Sequence, residues 1–596
     1  MLSSTILLVA SLLVAETPDT LETAVVVADK GMVVSQSDTV FISNQIDVTE
    51  VLSSIPDLFV GDMGGAAGLK SVSLRGLGSA HTALYIDGVR VSNVQSGQAD
   101  LGMIDVDNCS NIIVDYAQNS LSFNTAKPVF KSGNFAGNVK FRGGSFGTYE
   151  PSARLDFRLS DRISLSAMSS GTLSKGNFPY DGDARRENND IRQIHAGVDV
   201  WGNMDHGKWH TKAYYNGSGR GTPGSIDWPS TDRQKDRNVF VQGVLQNSFS
   251  YLYSMNVSAK AGYDDLNYFS EWGDSRYQAT DLQLNTSHIF NITSWMEVSV
   301  AADLQHNNLK ATDYEAVRTG ILSTVTAAFR LPRFNAKVSL EYSGTFDKGI
   351  EGRNVVSPSA DLHFLISDGF DITAFGRRAY RVPTFNELYY PGYGNPDLLC
   401  EDAWLSTLGA HWRKSISGWS LETGADAFYN TLKNKIVSAP SAEDPSLWFP
   451  YNVGRAIMYG ADVKARAGFK GDRWDASISV SYTWQNAKDK TPDSASYDEQ
   501  LPYIAKHSLS NALKGSYKGW SLDLTWNVRC GRRDSYGVMP DYNTLDITAG
   551  KDFPFKGGRS FGLKLIARNI TNTQYVLSSG YPMPGRALYG GIDFKF

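Results

Sequence analysis

The sequence is poor in cysteine, has no basic excess and contains no long apolar run, and each shortage removes a class of answer. Three cysteines, Cys109, Cys400 and Cys530, are scattered over 596 residues. No CxxC pair and no Cys/His spacing of the zinc type occurs, which argues against a structural zinc site and against a disulfide framework. Lys and Arg number 57 against 62 Asp and Glu, a net charge of −5, so a nucleic-acid partner is not favoured. No segment past the N-terminus reaches about 18 uninterrupted apolar residues, which excludes transmembrane helices. Catalytic constellations are missing too: no Ser/His/Asp set or carboxylate pair stands out, and an enzyme is not expected. In the stretch SLRGLGSAHTALYIDGVRV, residues 73–91, the glycines are too few and wrongly spaced for a GxGxxG or P-loop. His81 has no Ser, Cys or second His at a useful spacing and reads as a structural histidine.

What is present is aromatic and glycine-rich. There are 29 Tyr, 28 Phe, 13 Trp and 55 Gly, a mixture that suits many strands and turns better than a helical enzyme. The N-terminus, MLSSTILLVASLLVAETPDT, carries an apolar run of about 10 residues, too short to cross a bilayer and suited to the core of a signal peptide over 1–15. The basic n-region of such a signal is missing, since no Lys or Arg precedes Lys30.

Two zones follow. Residues 35–130 have mixed patterning and read as a compact α+β domain. Residues 47–55 have the spacing of a short amphipathic helix that stops before Pro56. Leu84-Tyr85-Ile86 and Val89-Arg90-Val91 read as two short strands, with Asp87-Gly88 as the two-residue turn that needs positive φ. Arg75 reads as a buried, paired arginine, and it and Gly76, with Asp87 and Gly88, are expected to be structural.

Over 131–596 the character changes and holds to the end. Segments such as VKFR (139–142), ARLDFRL (153–159), VSAKAGY (257–263), SLETGADAF (420–428) and SLDLTWN (521–527) alternate apolar and polar residues. Many such strands without helical interruption imply a closed sheet, because long open edges aggregate. The joints are of two kinds, very short (160–161) and long (175–191, 218–238, 438–450, 485–501), and aromatics cluster near strand ends. Both suit a membrane β-barrel, with apolar faces toward lipid. At about 21 residues per strand and connection the zone holds about 22 antiparallel strands. The expected fold is a membrane β-barrel with the N-terminal α+β domain inside it as a plug.

Several of these stretches together resemble one family. The runs SLRGLG (73–78), YIDGVR (85–90) and SGQADL (96–101) resemble the plug domain of TonB-dependent outer-membrane transporters. RVPTFNELYYPGYGNPDL (381–398), RNITN (568–572) and GYPMPGR (580–586) resemble the vitamin B12 (cobalamin) branch of that family as found in Bacteroidota. The resemblance runs from about residue 19 to 596. It implies TonB-driven import of a cobalamin or related corrinoid across the outer membrane of a Gram-negative bacterium, with ExbB and ExbD energising TonB. The rival cargoes are a siderophore, haem or a glycan; a surface receptor that captures without importing is a further alternative.

Residue by residue, the resemblance implies a TonB box within 16–34, at Thr23, Ala24, Val25, Val26, Val27 and Ala28, where backbone pairing with a strand of TonB needs only a flexible β-prone segment. It implies cargo contacts in two apical plug loops, at Met63, Gly64 and Gly65 and at Val94, Gln95, Ser96 and Gly97. Small residues let the backbone approach a bulky corrinoid, and Gln95 and Ser96 offer hydrogen bonds to its amides. No cofactor is implied beyond calcium, which orders outer loops in some relatives; Asp181, Asp183 and Asp190 offer oxygens for it, beside Arg185 and Arg186. A surface cobalamin-binding lipoprotein accompanies relatives in Bacteroidota, and outer-membrane lipid would surround the barrel. The chain departs from the family at 115–116, where Asp115-Tyr116 replaces the usual Arg-Gly, so a different buried charge pairing is expected there.

Overall fold

The computed structural model describes residues 37–596 apart from 43–44, 46, 94, 132 and 441–447. The segment holding 23–28, and Val94, therefore lie outside the described residues.

The N-terminal domain is built on a five-stranded sheet. Its strands are β1 (Ser37–Phe41), β4 (Ala83–Ile86), β5 (Val89–Val91), β6 (Cys109–Asp115) and β7 (Ser120–Thr125), in the order β1-β6-β7-β4-β5. β4 and β7 run parallel and the other neighbours antiparallel. A separate hairpin joins β2 (Leu58–Asp62) to β3 (Lys70–Leu74). The helix α1 (Val48–Ser53) starts where Asp47 accepts from the Thr49 and Glu50 amides, and it buries Val48, Val51 and Leu52. The two-residue turn between β4 and β5 has φ of 51° at Asp87 and 81° at Gly88, the paired positive values that a tight right-twisted hairpin demands.

Residues 135–595 form a closed barrel of 22 antiparallel strands among the described residues, from Phe135–Gly144 round to Ala587–Lys595, which pair and seal it. At one rim the connections are tight, such as Ser417-Gly418 and Lys518-Gly519, both with positive φ. At the other rim lie the long connections 175–190, 382–400, 490–506 and 569–586. The strands alternate as a membrane barrel requires. Along Glu401–Ile416, Ala403, Leu405 and Thr407 are buried facing inward, whereas Trp404 and Leu408 are exposed. Aromatic rings pack along the short-turn rim, with Phe469 stacked on Trp474 at 4.4 Å between centroids and Phe334 tilted against Phe364 at 4.6 Å. No helix of the described chain is long and apolar enough to cross a membrane; the crossing is made by strands.

The N-terminal domain fills the lumen. Its apolar core, including Leu52, Leu74, Ile112, Leu121 and Phe123, continues into one arc of the wall at Phe375, Ala403, Leu405, Leu432, Ala456, Met458, Ala487 and Ile504. Across the lumen the apolar contact shrinks to Ile86 against Met168, Tyr214 and Phe240. There the wall is polar: Gln193 donates to the Gly102 carbonyl (2.7 Å), Lys212 to Thr125 (2.7 Å), Gln242 to the Ile86 carbonyl (3.1 Å) and Lys260 to the Arg90 carbonyl (3.2 Å). A cavity of about 40 Å³ lies between the plug and this wall.

Candidate functional site

The long-loop rim encloses an open cavity of about 590 Å³. Its wall is Tyr268, Trp272, Asp274, Tyr277, Asp313 and Tyr390, with smaller neighbours. Its floor includes one plug residue, Gln95. Trp272 is almost wholly exposed, at 97%, as an indole offered to a ligand would be. Asp274 and Asp313 are the only ionic side chains among the described lining residues.

The floor is held in place by the two elements that meet there. The Asn93 side chain accepts from the amides of Gln95 (2.9 Å) and Ser96 (3.0 Å), which turns the chain back on itself, and Gly97 follows with φ of 70°. A Cβ at Gly97 would lie 2.8 Å from Thr384 Cγ2, so only glycine lets the two elements touch. Thr384 starts α2 (Phe385–Tyr389), a short helix in the connection 382–400 that dips into the lumen. Thr384 and Glu387 form a reciprocal capping box, Phe385 is buried against Ala279, Leu309 and Ala316 of the wall, and Leu388 is buried as well. The Asn386 amide donates to the Gln95 carbonyl (3.2 Å).

The second expected loop stands elsewhere. Met63 is exposed, but Gly64 and Gly65 are buried beneath the outer connections: Asn189 donates to the Gly64 carbonyl (2.8 Å), and a Cβ on Gly65 would meet Pro584 at 3.2 Å. Asp62 is buried below them, accepting from the Gly65 amide (2.7 Å), and burial pushes its carboxyl up to about 6. Of the expected cargo contacts among the described residues, the structure brings Gln95 alone to the cavity lining. The cavity aromatics were not among them; their signal is the tyrosine and tryptophan density of NYFSEWGDSRYQ (267–278) and ELYYPGY (387–393).

Asp181, Asp183 and Asp190 are not gathered into one site. Asp190 is engaged by the Arg233 guanidinium at 2.9 and 2.8 Å. Among the described residues the one carboxylate and histidine set close enough to hold an ion is Asp87, Asp199 and His210, all within 4.8 Å. Its counter-charge is already in place, since Lys212 lies 2.9 Å from Asp199 and 3.4 Å from Asp87.

Arg75 and Gly76 sit at the junction of plug and wall. Arg75 donates to Thr407 and Asp462, both at 2.8 Å, and its guanidinium lies over the rings of Tyr116 (4.4 Å) and Phe428 (4.5 Å). The Tyr116 hydroxyl donates to Asp38 in β1 (2.6 Å) and accepts from Lys464 (2.8 Å), which also pairs with Asp38. Tyr116 thus replaces the expected glycine with a ring that Arg75 covers and a hydroxyl that ties β1 to the wall. His81 is likewise a plug-to-wall contact, 2.5 Å from Glu401.

With this architecture in view, the comparisons are specific. The profile of the TonB-dependent receptor-like β-barrel matches residues 115–572, and that of the TonB-dependent receptor plug domain matches 32–128. The chain is 24% identical over 594 residues to the vitamin B12 transporter BtuB of Photobacterium profundum, covering 92% of this chain and 90% of the relative. In fold it is similar to the FrpB iron transporter of Neisseria meningitidis (TM-score 0.77, 12% identity, 94% and 99% of the two chains). It is similar also to the copper transporter OprC (TM-score 0.76, 13% identity, 95% and 99%). The chain belongs to the TonB-dependent receptor family. It is a TonB-dependent transporter of the Gram-negative outer membrane, a family of transporters rather than enzymes, energised through TonB, ExbB and ExbD.

Proposed function

We propose that the cargo is a cobalamin or closely related corrinoid. The observation that carries this reading is the outer cavity: aromatic walls, a glutamine in the floor, and carboxylates as its only ionic lining among the described residues. Ferric siderophores and haem commonly carry negative charge, and two aspartates without a facing cation oppose such cargo. A bulky ligand edged with neutral amides meets apolar faces for its ring and hydrogen-bonding groups for its rim. The likeness to vitamin B12 transporters supports the same cargo.

The geometry also supports the order of events. Cargo settles on Gln95 and the aromatic wall while the plug still closes the lumen. Work supplied through TonB then displaces the plug, which no bond-making chemistry needs to assist.

The test is equilibrium binding of cyanocobalamin to the purified, detergent-solubilised protein, with a ferric siderophore and haem as competitors. The expected result is saturable binding that neither competitor reduces. Displacement by the siderophore or by haem would replace the cargo, and no binding at all would overturn the corrinoid reading.

A further inference from the structure

The cavity floor and the plug interior are joined by a closed ring of polar contacts, and the ring passes through a buried carboxylate. His81 Nε2 lies 2.5 Å from Glu401 Oε2. Glu401 Oε1 accepts from Arg381 at 2.7 Å, and Arg381 reaches Glu387 at 2.8 and 3.1 Å. Glu387 accepts from the Thr384 amide at 2.7 Å and so fixes the start of α2. Thr384 and Asn386 touch the plug at Gly97 and Gln95. Within the plug, Ser79 donates to Gln98 at 2.7 Å, and Ser79 and His81 share one short turn, which closes the ring.

Three properties separate this ring from ordinary packing. First, it meets the cavity at two points, Gln95 in the plug and Tyr390 at the end of α2, and Gln95 is the only plug residue among the described lining. A cargo that presses on the wall or floor therefore acts on the ring directly. Second, its far end is buried: the side chains of His81 and Glu401 are 5% and 4% exposed. Third, Glu401 is shared among three donors or partners, His81, Arg381 and the Ile436 amide (2.7 Å). Bonds of this kind are directional and weaken steeply with misalignment, so a small shift of one partner is felt by the next.

We propose that this ring carries cargo occupancy from the outer cavity into the plug, with Glu401 and His81 as the positioning residues that deliver it. Movement of α2 toward bound cargo pulls the Arg381 side chain through Glu387 away from Glu401, its backbone partner in the barrel wall, and so changes the hold of Glu401 on His81. The turn 79–81 leads directly into β4, the strand that pairs with β7 in the plug sheet. Neither Glu401 nor His81 lines the cavity, so their work is transmission and not recognition. The inference rests on the transporter function and does not depend on which cargo is carried.

The test uses the full-length protein, in cells for uptake and purified for binding, with Glu401→Gln, His81→Gln and the double variant. Cyanocobalamin is the probe, and amide exchange over 79–86 and 95–98 is followed with and without it. In the ligand-free protein, E401Q is expected to raise exchange at both segments by about tenfold although residues 95–98 do not touch Glu401. Cyanocobalamin affinity should stay within about twofold while uptake falls about tenfold or more, and H81Q/E401Q should be no worse than either single change. A merely structural pair would lower affinity and uptake together, or act only at 79–86. Either of those results, wild-type uptake by E401Q, or multiplying losses in the double variant overturns the relay. If cyanocobalamin fails to bind the wild-type protein, the corrinoid reading falls, and the ligand-free exchange at 95–98 decides the relay by itself.

Discussion

Arg75 holds two bodies together, and its surroundings explain why nothing else would serve. A planar guanidinium can lie between two rings and still donate to Thr407 and Asp462 from its edge. Replacing it by Ala leaves the buried Asp462 carboxylate without its cation, a loss of roughly 3–5 kcal/mol in plug docking. Tyr116→Phe removes only the hydroxyl bound to Asp38 and Lys464 and is expected to cost about 1–3 kcal/mol. Both are read from the urea midpoint at which Cys109, in the plug strand β6, becomes open to a pulse of thiol reagent at fixed pH, located by mass spectrometry. Asp62 supplies a pH dependence. Its carboxyl takes a proton near 6 in the folded plug and near the ordinary 3.8 in the unfolded chain. Between those values the folded plug binds the extra proton, so stability rises as pH falls through about 6 toward 4 and is lost as pH rises back through 6. The same assay should show a higher midpoint at pH 5 than at pH 7.5, and Asp62→Asn should flatten that difference. At this scale the sequence made Arg75 legible as a buried pair, because a lone arginine in an apolar run must find a partner. It could not show which partner, since Asp462 lies 387 residues away.

At the scale of the element, the short helix α2 has more to do than its five residues suggest. It buries Phe385, holds the Gln95 carbonyl and starts from a capping box that also engages Arg381. Thr384→Ala should lower its stability by about 1 kcal/mol and blur the cavity floor. Gly97→Ala should act harder: its φ is 70° and the new methyl would lie 2.8 Å from Thr384. The expected outcome is weaker cyanocobalamin binding in G97A with an unchanged barrel, checked by titration beside the heat-induced mobility shift of the folded barrel. Helix α1 and the β4–β5 hairpin were readable because their signals are local: apolar spacing that stops before Pro56, and Asp87-Gly88 between two apolar runs. Helix α2 was not, because it is held by Arg381 and by plug residues far off in the chain. What the loop 62–69 approaches is not legible for a related reason. Its glycines promise a close approach, and sequence cannot say whether a ligand or Pro584 makes it.

The whole molecule was the most legible scale, since alternation over hundreds of residues admits few closed solutions. Strand count and the two kinds of rim follow from repeat length and joint length, as the 22-strand barrel bears out. Its seam can be tested. Phe596 exchanges two backbone hydrogen bonds with Gly137 (2.8 and 3.0 Å) and packs its ring against Phe135 and Phe594. Phe596→Ala keeps the backbone bonds and loses the ring, which should weaken closure by roughly 1–2 kcal/mol, seen as a lower temperature for the folded-barrel mobility shift.

The uneven seating of the plug sets the direction in which it can give way. Along the arc from Phe375 to Ile504 the plug and the wall share one oily core, and parting them exposes apolar surface at about 25 cal/mol for each Å². On the opposite side a small void is bordered by bonds from Gln193, Gln242 and Lys260 to plug carbonyls, which water replaces at a net loss of only about 1 kcal/mol each, while the ion pairs Arg220–Asp100 (2.8 Å) and Lys212–Asp87 (3.4 Å) also tie the plug to the wall there. The plug is therefore seated unevenly, on a shared apolar core that Arg75 and Asp462 pin along one arc and on separate polar contacts and ion pairs along the other, and the weakest stretch of the seam is the void bordered by Asn238, Lys260, Asp264 and Asp281.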